Sequence, residues 1–463
     1  MGLQTALASA LLYGSMQQSG LLSVTDLTRA PAWSLTNANG SVSVSNAALP
    51  AYVLEVLEKR NIIPDPLQRF NEKRLAWVRD DTWTFSREFT LSAPWTGGEL
   101  VLAGVDTVAD ITLNGQRLGR VASEHRTHRL AVPAGLLRSN GANKISIELK
   151  PVKQEAQKDQ NSYAYTVPSV AHLGSFAEHK AFIRKAGSDF GWDWGPALGP
   201  VGVFGSIYLL AAPAAPEAGS YLQAAHIRQL HRDDKIQLKV HAVVSKPATG
   251  SDANAPAPAG TAKFVIPELS IDVSKQFSGS EDDFKEGGAC RRVASGEGGS
   301  RAECNVFVEV DVPKSQVELW WPAGHGPQRL YDATVTWQPA GGAASCSDAA
   351  TLDADDPAAL ESKAGAFAEA AAAAPAPAQQ FGCSAAKRLV GFRTVELVTQ
   401  PLAEAAKEMA PGAPAPTGGD AEGGFALHPQ LLSSCVPGGF APVHPPFPLH
   451  YPAPTTCPTQ SRP

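Results

Sequence analysis

The sequence has no excess of positive charge: 39 Lys and Arg stand against 45 Asp and Glu, a net of −6 over 463 residues. Binding to a nucleic-acid backbone draws on counterion release by a basic surface, so nucleic acid is not an expected partner. The sequence also lacks any uninterrupted apolar run approaching the ~20 residues that span a bilayer, and no membrane partner is expected. Cysteine is scarce and lopsided. Cys290, Cys304, Cys346, Cys383, Cys435 and Cys457 all fall late in the chain, and none has the CxxC spacing of a metal site. They read as incidental thiols or, at most, as one disulfide such as Cys290 with Cys304; no metal and no cofactor is expected. The first residues include a short apolar stretch, Ala6 to Tyr13, without the Lys/Arg n-region of a secretory signal. Asn39-Gly40-Ser41 is a glycosylation sequon, which matters only in a secretory chain. The compartment stays open among lysosome, extracellular space and cytoplasm.

What the chain does have is strand pattern and linker-like composition. At roughly 150 residues per domain its length corresponds to about three domains. Gly and Pro, 41 and 37 residues, exceed average usage and are concentrated in particular stretches. Residues 1–20 are expected to be a disordered N-terminal segment. Residues 21–212 read as short strands with turns, the pattern of a β-sandwich. Trp83, Phe85, Arg87 and Phe89 fall on one face of a strand; Leu100 to Ala103 and Val108 to Leu113 are further strands, the latter closing at the hairpin signal Asn114-Gly115. Lys144 to Leu149 alternates with period two, and Val201 to Leu210 ends the region before the linker-like Ala211 to Pro216. One helix is expected at Ala51 to Arg60, with Val53, Leu54 and Leu57 on one face and Pro64 beyond it. Residues 213–399 form a second β region of immunoglobulin-like size, with strands at Lys235 to His241, Val306 to Val312, Leu330 to Trp337 and Lys387 to Val398. Low-complexity stretches near 246–262, 279–303 and 341–380 have too little branched or aromatic surface to fold alone and are expected to be disordered insertions. Residues 400–463 form a Pro/Gly/Ala-rich tail that sustains neither ladder nor helix.

The densest aromatic cluster is Phe182 to Pro196, where Asp193 stands between Trp192 and Trp194 and Gly191, Gly195 and Pro196 mark turns. A carboxylate accepts hydrogen bonds from two neighbouring sugar hydroxyls while an indole face covers the C–H patch of the same ring. In the other reading Asp193 accepts backbone N–H groups within a tight turn. Trp320-Trp321 reads as core of the second sandwich. His172 and His179 show no metal spacing and read as structural or surface residues.

In six ordered stretches the sequence resembles the β-mannosidases of the family 2 glycoside hydrolases. These are Trp33 to Leu35; Ile63 to Pro66 with Asn71-Glu72 and Trp77-Val78; Gly104 to Gly115; Phe190 to Pro196, preceded by Ile183 to Lys185; Leu319 to Gly324 with Leu330-Tyr331; and Gly391 to Glu396. The FGWDWGP stretch is the specific one, while the LNG and GFRT matches occur across the wider family. Resemblance implies an all-β front: a galactose-binding-like jelly-roll, then an immunoglobulin-like sandwich, followed in the family by a TIM barrel with two catalytic glutamates. It gives Asp193 the role of binding hydroxyls of a terminal mannose, with Trp192 and Trp194 shaping the pocket wall and Arg184 supporting it. Gly187, where the family commonly has Gln, and Ser123 to Arg126, where an Asn-x-Phe is expected, depart from the pattern.

A retaining glycosidase needs two carboxyl groups about 5 to 5.5 Å apart, one proton donor and one nucleophile. Asp80-Asp81, Glu281 to Asp283 and Asp353 to Asp356 are carboxylate runs of solvated loops, and Glu88 and Glu178 are single acids, so no catalytic residue is assigned. Only 63 residues follow Gln400, against about 250 for a (β/α)8 barrel, so this chain is not expected to encode one or to be active alone. The expected function is the sugar-binding wall of an enzyme that hydrolyses terminal non-reducing β-D-mannose residues with retention, with β-mannoside glycans as partners. A stand-alone lectin-like or regulatory module is the alternative, and a functionless fragment the third reading.

Overall fold

The computed structural model describes residues 22–28 and 33–395, except 92–94, 96, 140, 170–175, 212–218, 249–254, 298, 342–345, 347–348 and 352–378. The expected N-terminal segment, the linker after Ala211, His172, Glu396 and the tail from 400 lie outside the described residues. So does most of the 341–380 stretch.

Two β-sandwiches follow one another. In the first, a six-stranded sheet runs Ser43–Ala47, Trp33–Asn37, Trp83–Phe89, Asn143–Leu149, Val108–Leu113, Gln116–Ala122. It faces a five-stranded sheet of His128–Val132, Gly98–Leu102, Ile207–Ala211, Leu22–Asp26 and Gln379–Phe381. The last of these arrives from far along the chain and pairs antiparallel with Leu22–Asp26. Period-two alternation explains the inner faces: Trp83, Phe85 and Phe89 are buried together with Ile145, Ile147 and Leu149 on the neighbouring strand. Arg87 shares that buried face, its guanidinium 5.7 Å from the Trp33 ring and donating to the Leu27 carbonyl. Burial lowers its pKa to about 10 against the opposing pull of Asp26. The Asn114-Gly115 turn takes up positive φ at both residues, 50° and 82°, which a two-residue hairpin requires. The expected helix forms at Val53–Lys59 and buries Val53, Leu54, Val56 and Leu57.

The second sandwich packs a sheet of Tyr221–His231, Lys235–Pro247, Ser300–Pro313 and Cys290–Ala294 with one of Ile271–Phe277, Gly260–Ile266, Tyr331–Pro339, Ser384–Val390 and Ala350–Thr351. Leu238, Val240, Phe264, Val308, Val335, Trp337 and Phe392 belong to its core, and the Trp337 indole donates to Ser220 Oγ at 2.9 Å.

Four expectations are corrected. Much of the 279–303 stretch is ordered: Cys290–Ala294 pairs with Ser300–Pro313, with Cys290 and Cys304 disulfide-bonded across the pair. The Gly-rich turn between them docks on the first sandwich, where Ala131 N–H donates to Ser295 O at 3.0 Å and Glu297 N–H to Leu118 O at 2.8 Å. The covalent link and these backbone bonds supply the order that its side chains cannot. Likewise the flanks of 246–262 are strand, in Lys235–Pro247 and Gly260–Ile266. A second disulfide, Cys346 with Cys383, was not anticipated. Lastly, Trp320-Trp321 is not core: Trp321 is exposed and Trp320 half-buried, with the Arg393 guanidinium 4.9 Å above the Trp320 ring.

The strand Gly98–Leu102 is buried along its whole length because both its faces are covered. Leu100 and Leu102 enter the core of the first sandwich. Val101 and Glu99 turn to Tyr221 at the start of the second: Val101 packs with Leu210 and Tyr221, and the Tyr221 hydroxyl donates to Glu99. Arg129 Nη1 donates to the same hydroxyl oxygen at 3.2 Å, and Ser295 Oγ to the Arg129 carbonyl at 3.0 Å. Burial raises the Tyr221 phenol above its ordinary range, so it remains a neutral donor in this seam.

Candidate sugar-binding site

The loop that carries Asp193 is built from buried contacts outward. A 3-10 turn, Gly187–Phe190, sends Phe190 into a cluster with Val108, Val152, Ala156, Ala177 and Ile183, where it stacks on Phe176 at 5.4 Å. Lys180 Nζ lies 5.8 Å from the Phe190 ring and 5.7 Å from Trp192, within cation–π range. Beyond Gly191, at φ 80°, the chain makes a tight reversal: Trp192 N–H donates to Gly195 O at 3.1 Å and Gly195 N–H to Trp192 O at 3.3 Å. Asp193 and Trp194 are the two tip residues. Trp194 is 82% exposed and Trp192 38%, their rings 5.3 Å apart and tilted by 48°. Asp193 is exposed between them, and no donor among the described residues hydrogen-bonds its carboxylate. The turn is therefore closed by backbone alone, and the acid is left to outside donors.

The loop returns through Gly199, whose N–H donates to Asp189 O at 3.0 Å. At φ +55° a Cβ on Gly199 would lie 2.6 Å from Phe176, so glycine is needed for both conformation and space. Arg79 covers Phe176 at 4.5 Å and donates to Ala197 O.

Beneath this loop is a charge cluster that sequence reasoning missed. Lys185 has no exposed side-chain surface; its Nζ meets Asp106, lies 2.7 Å from Asp189 Oδ2 and 3.6 Å from Glu124 Oε2. Glu124 Oε1 also accepts the Ala186 N–H at 2.7 Å, and Asp106 accepts the Thr107 hydroxyl. Burial pushes the Asp106 carboxyl up to about 7 against the pull of the Lys185 ammonium. Tyr52 beside it rises to about 12, through burial and then the charges of Asp106, Glu124 and Asp189. One oxygen from each of the three carboxylates falls within 4.8 Å of the others, near enough to hold a cation, and the Lys185 ammonium is ion-paired with all three. The available signal was the i,i+4 spacing of Lys185 and Asp189 just ahead of the aromatic run.

Arg184 lines a groove whose lining does not include Trp192, Asp193 or Trp194. Its backbone bridges Ser123, its carbonyl accepts the Glu124 N–H at 3.1 Å, and its exposed side chain lines a groove of about 760 Å³ with Arg126 and His128. No hydrogen bond or ion pair joins it to Asp193 among the described residues. Trp192, Asp193 and Trp194 are brought together; Arg184 is not.

Residues 33–205 match the family model described as glycosyl hydrolase 2 galactose-binding domain-like. This segment is a family 2 glycosyl hydrolase galactose-binding-like domain. The sequence is 29% identical over 324 residues to a β-mannosidase of Capra hircus, covering 67% of this chain and 32% of that one. It is 25% identical over 315 residues to a probable β-mannosidase of Caenorhabditis elegans, covering 66% and 31%. The chain thus spans about a third of the length of the curated relatives it matches. The fold is similar to the crystal structure of a β-D-mannosidase from Dictyoglomus thermophilum, with TM-score 0.55, 19% identity, 81% of this chain and 37% of that one. The chain is β-mannosidase-like along its galactose-binding-like domain and into the second sandwich, and its all-β architecture is consistent with the N-terminal β domains of family 2 glycosyl hydrolases. The galactose-binding-like domain contains the whole Asp193 loop and the Lys185 cluster beneath it.

Proposed function

We propose that this chain supplies the sugar-gripping wall of a retaining β-mannosidase, in which Asp193 accepts hydrogen bonds from hydroxyls of a terminal β-D-mannosyl unit. Trp192 and Trp194 cover the apolar side of that ring. The observation that carries the reading is the exposed acid at the tip of a backbone-closed turn, flanked by two exposed indoles and without an internal donor among the described residues. Arg184 supports the site from the groove that it lines with Arg126 and His128.

The bond-cleaving pair is not supplied by the carboxylates that converge here. Asp106 is fully buried, and the Lys185 ammonium ties Asp106, Glu124 and Asp189 together, which leaves no open cleft for a sugar between them. In this reading the proton donor and nucleophile belong to polypeptide outside the described residues. The test is hydrolysis of an aryl β-mannoside by the chain joined to a family barrel. Asp193→Ala should lower kcat/KM by at least tenfold, as expected for a lost charge-assisted hydrogen bond worth about 1.5–3 kcal/mol. An unchanged value refutes the assignment.

The exposure of Trp194 also favours a second reading, a lectin-like platform in the chain as it stands. Calorimetry with mannose and mannobiose separates the two, because a half-site lacking its opposite wall releases no heat at millimolar sugar, whereas a lectin does.

A further inference from the structure

We infer that this chain is made in an oxidising secretory compartment and carries an N-linked glycan on Asn39. Two independent observations meet here, and neither rests on the mannoside reading. The first is the sequon itself, Asn39-Gly40-Ser41, in the turn that joins strands Trp33–Asn37 and Ser43–Ala47. Ala38 to Ser41 are all exposed. Ser41 N–H donates to Asn39 Oδ1 at 2.9 Å, a local Asx-type turn that fixes the carboxamide oxygen. The same amide's Nδ2 makes no hydrogen bond among the described residues. Gly40 sits at φ +71° with nothing within 4 Å of where a Cβ would be, so the tip stands clear of the sandwich. A bulky, solvated substituent on Nδ2 would displace no described side chain.

The second observation is redox state. Cys290–Cys304 and Cys346–Cys383 are closed disulfides, and Cys290, Cys304 and Cys383 are buried. Structural disulfides persist in secretory and extracellular proteins and are rare in reducing cytosol. The Cys290–Cys304 bond links the two strands whose turn docks on the first sandwich, so the fold described here includes the oxidised state. On the eukaryotic secretory route a chain acquires such bonds in the ER lumen, the compartment in which sequons are read.

The chemical step is transfer of an oligosaccharide from a polyprenyl-diphosphate donor. A C1–Nδ2 bond forms, the C1–O bond to the diphosphate breaks, Nδ2 gives up a proton, and the polyprenyl diphosphate leaves.

The test uses the full chain purified from a eukaryotic secretory host and from its native source. Intact mass is measured before and after peptide:N-glycosidase treatment, and tryptic peptides are mapped without reduction. The expected result is a glycosidase-sensitive mass increment on the peptide carrying residue 39, read as Asp after release, together with Cys290–Cys304 and Cys346–Cys383 cross-linked peptides. Asn39→Gln and Ser41→Ala should each abolish the increment, and Ser41→Thr should retain it. An unmodified Asn39 in either preparation, or free thiols at these four cysteines in the native protein, overturns the inference.

Discussion

Replacing Lys185 by Met removes the cation that joins a cluster of three carboxylates while keeping most of the side-chain volume. In the native fold the ammonium has no exposed surface and is ion-paired with Asp106, Asp189 and Glu124. Removing one partner of a buried ion pair costs about 3–5 kcal/mol, because the remaining charge is left uncompensated in low dielectric. If the first sandwich, matched over residues 33–205, melts as a unit, that corresponds to a fall in its Tm on the order of 10 °C. The loss should depend on pH, and the sign follows from Asp106. Its folded pKa is raised to about 7, above the ordinary aspartate value, so the folded state holds a proton that the unfolded state releases. Stability from this group is greatest in acid and is lost as pH rises from near the ordinary value through about 7. Without Lys185 only the Thr107 hydroxyl still opposes the burial that raises the carboxyl, and the penalty at pH 8 exceeds that at pH 5, where protonation relieves it. Urea unfolding of both proteins at pH 5, 6.5 and 8 measures this. A variant equally destabilised at all three values, or by less than about 1 kcal/mol at pH 8, refutes the role given to the cluster.

Two further outcomes test the docking of the second sandwich's hairpin. Cys290→Ser with Cys304→Ser opens a bond between residues 14 apart. This should cost up to roughly 3 kcal/mol, with a lower Tm, and the wild type in reducing agent, which also opens Cys346–Cys383, should fall at least as far; a reductant-insensitive wild-type Tm contradicts it. Gly296 has φ +72°, and a Cβ there would lie 2.4 Å from Leu118 O, whereas Gly287 has φ +79° with open space around it. Both Ala variants meet the left-handed cost of about 1–2 kcal/mol, and only Gly296→Ala should lose more, by lifting the docked turn. Equal destabilisation in chemical unfolding removes the docking argument.

The parts of the fold legible in the sequence are those where one face meets core and the other meets water. Trp83–Phe89 and Asn143–Leu149 alternate because each strand has a single buried face, and Asn114-Gly115 announces a hairpin because its residues tolerate positive φ. Legibility ends where that condition ends. Gly98–Leu102 is buried on both faces, so Glu99 gives no outward sign of the seam it enters. Helix Val152–Ser162 buries only Val152, Glu155 and Ala156, too narrow a stripe to stand out in a polar segment. Composition marks the Cys290 to Cys304 region as unable to fold, and it is held by a covalent bond and by another sandwich's backbone. At the site, the indole-flanked acid is visible because its residues are contiguous. The Lys185 cluster draws Asp106, Glu124 and Asp189 from three separated segments, and Glu124 belongs to a stretch that departs from the family pattern.

The pairing of Gln379–Phe381 with Leu22–Asp26 bears on the order in which the molecule is made. A ribosome delivers Leu22–Asp26 some 350 residues before the strand that completes its hydrogen bonding. Until Ile207–Ala211 emerges both edges of that strand are open, and from then until Gln379–Phe381 one remains open, a template for pairing with a neighbouring nascent chain. Closure of the first sheet must wait until nearly all of the second sandwich has emerged, so the domain translated first is among the last to be finished.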